Sequence, residues 1–232
     1  MKYFEIRVTS YLKKDVMMKN VGEVLSKHIN YCMSKSDFLY RLHEQKIPKL
    51  YCYDYMFPLE KGKKYDKGRV YVFRIRTPME KIASEMRRTL TTYETDFIKP
   101  LGLELRVKKF TRVEELYTLT PVVATINKKN WTREDSMDII WKMIDNNLEK
   151  KCKMIFGEAF EIKESSIEFL EIKNNKTIVV DYKGGKVLGN KFSMRFKSDE
   201  LSQKMAYAAL ASGLLEKSSS IGAGFCKIVK RG

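Results

Sequence analysis

The sequence predicts an α+β fold built from two ferredoxin-like (RRM-like) halves, each an antiparallel sheet with two helices. Two observations carry this expectation. Hydrophobic periodicity over the first hundred residues reads β-α-β-β-α-β, and the same order begins again near residue 119. A chain of 232 residues also suits two compact units, each of roughly 110 residues and able to bury a modest core.

In the first half, residues 2–10 alternate as a strand, 20–45 form a helical region and 49–55 a strand. A charged turn over 60–68 leads into 69–77, rich in Val, Tyr, Phe and Ile. Pro78 stops that strand, 79–93 reads as a helix, and 103–110 returns to alternation. In the second half, 121–126 reads as a strand and 132–156 as a helix with Thr132 as its N-cap. Strands over 166–171 and 177–182 joined at Asn174-Asn175 follow, then a strand over 191–197, a helix over 200–216 and a closing strand over 225–229. One strand is thus additional in this half. No Pro/Gly/Ser-rich linker intervenes, so the boundary is expected between residues 114 and 115.

The chain holds 45 Lys+Arg against 29 Asp+Glu, a formal charge of +16. Such an excess is costly in self-repulsion unless a polyanion offsets it, and nucleic acid is the first partner to consider. The basic residues run through the whole chain, which points to a folded surface and away from a disordered arm. In 191–197 the apolar residues Phe192, Met194 and Phe196 alternate with Lys191, Ser193, Arg195 and Lys197, so one face packs and the other is basic. Arg106 and Lys108 obey the same rule in the first half. A charged outer face is commonplace, and the overall charge is what favours binding here. No apolar run of membrane-spanning length occurs and the N-terminus reads as a strand, so a cytoplasmic protein without membrane attachment is expected. Cys32, Cys52, Cys152 and Cys226 include no C-x-x-C pair, and with two histidines no familiar zinc spacing can be built. Neither metal nor cofactor is expected.

The segment Lys217-Ser218-Ser219-Ser220-Ile221-Gly222-Ala223-Gly224-Phe225 leads into the last strand. Gly222 and Gly224 allow backbone N–H groups to turn toward an anion, three hydroxyls add donors, and Lys217, Lys227, Lys230 and Arg231 surround them with charge. The same residues also suit a plain helix-to-strand turn.

His28 falls within the apolar stripe Val21, Val24, Leu25, Ile29 and Cys32, where a core histidine is expected. His43 lies where the helical pattern gives way to Lys46-Ile47-Pro48-Lys49, at a helix C-terminus whose dipole favours imidazolium. An imidazole beside lysine can serve a ribonuclease that uses the 2′-OH as nucleophile. One group takes its proton, another protonates the leaving oxygen, and Lys49 or Lys46 stabilises the developing charge. Tyr31, at the edge of the same helix, could orient or donate.

The paired halves, Leu42-His43-Glu44 with Lys49 ahead of Tyr51-Cys52-Tyr53, and Gly222-Ala223-Gly224-Phe225 together resemble the CRISPR-associated endoribonucleases that cleave repeat RNA, the sixth Cas family. The resemblance spans the chain in architecture, while its sequence motifs are short. It implies metal-independent cleavage of precursor transcripts on the 3′ side of the repeat hairpin, leaving a 5′-hydroxyl and a cyclic phosphate. By it, His43 matches the acid/base histidine, Lys49 the charge-stabilising lysine, and Tyr31 the group contributed by the first helix, with His28 competing for that last role. RNA contacts are expected from Lys191, Arg195, Lys197, Lys217, Ser218, Ser219, Ser220, Gly222, Gly224 and Lys227. The glycine-rich loop departs from the family pattern: Gly213 is followed by Leu214-Leu215-Glu216, and glycine returns only at 222 and 224. Partnership with other Cas proteins of an interference complex, and homodimerisation, stay open. The rival readings are a non-catalytic RNA-binding subunit, against which the missing RRM RNP1 pattern counts, and a basic scaffold on anionic lipid.

Overall fold

The computed structural model describes residues 1–229; Lys230 and Arg231 lie outside the described residues. The first half runs β1 (Lys2–Leu12), β2 (Val16–Met17), α1 (Val21–Met33), α2 (Asp37–Glu44), β3 (Cys52–Tyr53), β4 (Lys64–Tyr65), β5 (Val70–Thr77), α3 (Glu80–Thr92) and β6 (Ile98–Lys109). The second begins with β7 (Glu115–Thr118), the short β8 (Val122–Val123), β9 (Thr125–Ile126) and β10 (Lys129–Asn130), and α4 (Met137–Phe156). It continues with β11 (Ile167–Ile172), β12 (Ile178–Tyr182), β13 (Gly185–Asn190), β14 (Phe192–Phe196), α5 (Glu200–Ser212), α6 (Ser218–Ile221) and β15 (Cys226–Ile228).

The two main sheets have the orders β3-β5-β1-β6 and β11-β14-β7-β15. Counted within each half, both read second, third, first, fourth, so the chain is a tandem ferredoxin-like fold. Alternation decides which face is buried: Phe4, Ile6 and Val8 of β1 pack with Phe73 and Ile75 of β5 beneath α1 and α3. In the second half Leu116, Phe192, Met194 and Phe196 pack against α4 and α5. Among the described residues no helix is long and apolar enough to cross a membrane.

Several elements differ from the sequence reading. The helical region over 20–45 is two helices, because the Ser36 side chain caps a new one by accepting the N–H of Leu39. The strand expected over 49–55 shrinks to β3. The first strand of the second sheet is β7, not 121–126, whose residues form only the short pairings β8 and β9. Helix α4 starts after Ser136, which caps it, whereas Thr132 is bound up in a turn with Asp135. Strands β11 and β12 do not pair with each other: β11 pairs β14, and β12 forms a separate hairpin with β13. Lys183 and Gly184 turn that hairpin with positive φ at both residues, the geometry such tight turns need. The helix expected over 200–216 stops at Ser212, where Lys151, wholly buried, donates to the carbonyls of Ser212 (3.1 Å) and Gly213 (2.6 Å).

Arg76 of β5 ties the halves together. Its Nε bonds Glu5 (2.8 Å), its Nη1 donates to the carbonyl of Cys226 (2.7 Å), and its guanidinium lies 4.4 Å from the Phe225 ring centroid. Burial alone would raise the Glu5 carboxyl, but the Arg76 charge overrides it and holds the group below its usual range. Removing one partner of a buried pair strands the other, so Arg76→Ala should cost about 3–5 kcal/mol. An unchanged denaturant midpoint would show that the halves do not depend on this residue.

Candidate nucleic-acid interface

The same alternation that packs apolar side chains on one face of each sheet turns polar ones onto the other. On the first sheet Arg7 stands opposite Arg74, and Glu5 lies between Arg76 and Arg106. On the second, Tyr117 stands opposite Lys227 and Ser193, with Lys191 and Arg195 two residues to either side of Ser193. The two faces converge on a cleft of about 990 Å³ lined by Arg7, Arg74, Lys191 and Lys227, with Tyr55, Phe57, Leu59 and Val179 among its apolar walls. Lys19 of the first half pairs with Asp181 of the β12–β13 hairpin at its rim (3.1 Å).

The cations differ in how they are held. Arg74 is bound by Asp54 (Nε to Oδ2, 2.6 Å) and Arg7 by Glu5 (3.1 Å). Lys191 and Lys227 have no carboxylate partner among the described residues. Burial, and Lys227 beside it, lower the Lys191 ammonium below the usual lysine range. Two like charges held together beside an apolar wall create demand for an anion. Away from the cleft, Arg195 covers the Phe169 ring (4.8 Å) and Lys197 pairs with Glu164 (2.9 Å). Ser193, expected on the basic face, is buried and donates its hydroxyl to Glu115.

The Ser/Gly segment is folded rather than open. Ser218–Ile221 is the short helix α6, and the carbonyl of Lys217 accepts the N–H groups of Ser220, Ile221 and Ala223. Gly224 donates to Pro121 and Phe225 to the Thr120 hydroxyl. These five amides are therefore taken within the chain. The glycines serve packing: a Cβ at Gly222 would lie 2.6 Å from the Tyr53 carbonyl oxygen, and one at Gly224 2.4 Å from that of Leu214. Ser218 is buried with its hydroxyl on the Leu214 carbonyl (3.0 Å), Ser219 and Ser220 are half-buried, and the Lys217 ammonium lies over Tyr182 (5.6 Å).

His43 is exposed in the last turn of α2. Lys49 turns back onto that turn, its ammonium donating to the carbonyls of Leu42 and Gln45, which caps the helix and sets a positive charge at the helix end that carries His43. Partial burial lowers the Lys49 ammonium. Two residues on, Tyr51 donates to the Ser219 carbonyl (3.3 Å), so α6 lies against the chain that carries Lys49. Among the described residues Tyr31 has no hydrogen bond or ring contact with His43 or Lys49. Its ring meets Tyr93, just beyond the end of α3, whereas α2 is tied to earlier α3 positions by Ser36 on Glu85 (2.7 Å) and Lys81 over Phe38 (4.4 Å).

His28 is fully buried, with its Nδ1 3.3 Å from Thr95 Oγ1, its Nε2 3.9 Å from Cys32 Sγ, and its ring edge-on to Phe73. Burial pushes its imidazole down to about 4. It is a core residue and does not belong among the acid/base candidates.

A family model described as CRISPR associated protein Cas6, C-terminal, matches residues 105–228, more than half of the chain. The chain belongs to the Cas6 family. Among solved structures it is similar to a RAMP protein described as binding different RNA substrates (14% identity, TM-score 0.75, 98% of this chain and 100% of that one). It is also similar to the product of a Cas6-related gene from Pyrococcus furiosus (13%, TM-score 0.74, 99% and 100%) and to a Thermus thermophilus Cas6 (14%, TM-score 0.58, 98% and 98%). At these identities the likeness is one of fold. No curated protein matches by sequence.

Sequence reasoning missed Arg7 and Arg74, although each alternates with apolar neighbours on its strand and so announces the outer face. It also missed Phe57 and Leu59, which lie in a loop where no periodicity marks them. The buried His28 has a measurable signature. Its imidazole is held neutral in the fold and protonates near pH 6.5 when unfolded, so its contribution is intact above pH 6.5 and is lost as pH falls toward 4. The stability gap between wild type and His28→Gln should narrow by about 2–3 kcal/mol from pH 7.5 to 4.5 in urea titrations. A gap independent of pH would refute the burial of a neutral imidazole.

Proposed function

We propose that the chain is a metal-independent endoribonuclease that cuts CRISPR repeat RNA in precursor transcripts, holding the strand in the cleft between the two sheets. The observation that carries this reading is the cleft itself, in a Cas6-family chain. Lys191 and Lys227 lack carboxylate partners there and stand with Arg7 and Arg74 against apolar walls, a pairing of phosphate-binding charge with surface for bases. Lys217 and the hydroxyls of Ser219 and Ser220 add contacts on α6.

Cleavage proceeds by attack of the 2′-oxygen on the adjacent phosphorus, with loss of its proton. The bond from phosphorus to the 5′-oxygen breaks, and that oxygen gains a proton. The products are a cyclic phosphate and a 5′-hydroxyl. His43 moves a proton from its exposed place on α2, and the Lys49 ammonium offsets charge on the phosphoryl oxygens. The engagement of Lys49 with the α2 carbonyls, and the lack of a hydrogen bond or ring contact between Tyr31 and His43 or Lys49 among the described residues, favour a second reading in which the chain binds repeat RNA without cutting it.

His43→Ala should abolish cleavage of a cognate repeat in EDTA while leaving affinity within about 3-fold, since the cleft supplies the binding. Undiminished cutting would remove His43 from the mechanism, and wild type that binds without forming a cyclic phosphate would leave the second reading standing. Replacing Lys191 and Lys227 by Ala should lower the slope of log K against log salt by about 0.7 for each lost phosphate contact. A slope equal to wild type would place the RNA elsewhere.

A further inference from the structure

The reading above leaves a cluster at the far side of α1 without a role. On this helix Gly22 faces α6 and β3: its carbonyl accepts from Tyr53 (3.0 Å), and a Cβ on it would meet the Ile221 carbonyl at 2.5 Å. Met33, 11 residues on, keeps to that side and receives the Tyr51 hydroxyl (3.4 Å). Tyr31 lies nine residues beyond Gly22, about two and a half turns, and so points the opposite way. There its ring stands edge-on to Tyr93 (centroids 6.3 Å apart, 88°), and the Lys35 ammonium lies 4.7 Å from the Tyr31 centroid and 5.9 Å from that of Tyr93. Tyr31 is 42% exposed.

Neighbouring cations are already neutralised: Lys27 pairs with Glu23 (3.1 Å) and Arg88 with Glu85 (2.8 Å). Lys35 has no carboxylate partner among the described residues. An exposed ring braced by a second ring, beside an ammonium without a counter-ion, has the complementarity of a nucleotide: a π-face for the base and a charge for its phosphate. An acid/base role would require the Tyr31 hydroxyl at the scissile bond, and this hydroxyl lies on the side of α1 turned away from α6.

We propose that Tyr31, braced by Tyr93, is a stacking platform for an unpaired base of the bound RNA, with Lys35 against the adjoining phosphate. The proposal rests on the RNA-cleaving reading and assigns Tyr31 to substrate positioning. Stacking needs the ring, whereas proton transfer needs the hydroxyl, so Phe and Ala variants separate the two.

The experiment uses the full chain and repeat RNAs carrying 2-aminopurine at one unpaired position at a time. Wild type should quench at least one position. Tyr31→Ala should abolish that quench and weaken binding about 10-fold, and Tyr31→Phe should recover both. The proposal is overturned if Ala leaves quench and affinity intact, or if Phe loses the cleavage rate at saturating enzyme as completely as Ala does. Wild type that binds no repeat RNA would overturn the RNA reading and this platform with it. Wild type that binds and cuts while Tyr31→Ala behaves identically would overturn the platform alone.

Discussion

The architecture depends on one buried cation. Arg76 leaves the first sheet, neutralises Glu5 on the neighbouring strand, and reaches the last strand of the second half through the Cys226 carbonyl and the face of Phe225. A guanidinium can do this because its planar fork donates in several directions while its face stacks. A lysine would donate from a single point and offer no planar face to lay on Phe225. The contact fixes the polar faces of the two sheets toward each other, and the cleft follows from that orientation. Arg74, two residues earlier on the same face, extends the arrangement by lying 5.2 Å from the same Phe225 ring while also lining the cleft.

Lys49 illustrates a residue with two obligations. Its ammonium satisfies carbonyls that the end of α2 would leave exposed, and the same position puts charge at the helix end that carries His43. The helix end is therefore stabilised by the same cation to which the proposed chemistry assigns a role. The neighbouring α6 reaches this place from the second half through the Tyr51 hydroxyl, so the segment carrying Lys49 is held from both halves.

Much of the fold was legible because it rests on period. Strands β1, β5 and β14 each bury one face, so their alternation survives in the sequence, as does the α1 stripe. The start of the second sheet was hidden by charge. Glu115 looks like linker, yet it sits on the polar face of a central strand, where Ser193 donates to it. The β12–β13 hairpin was missed because Asn174-Asn175 looked like the turn, whereas the Asn174 side chain holds the start of β14 by accepting the N–H of Lys191 (2.6 Å). For the site, the spacing of His43 and Lys49 and the resemblance singled out a pair that the structure places at one helix end. The cleft was not legible, because faces from two distant halves compose it. Nor could sequence tell a glycine that cradles an anion from one that lets two backbones touch.

That last distinction changes what the terminal loop is. With Gly222 against Tyr53 and the Ile221 carbonyl against Gly22, the loop is a shim between the halves, and its thickness is that of bare backbone. The spacing of the halves at that seam is accordingly set by atoms that no side chain can pad. On the proposed reading a strand held in the cleft meets halves spaced in this way, so selection among substrates begins with shape before any base is read.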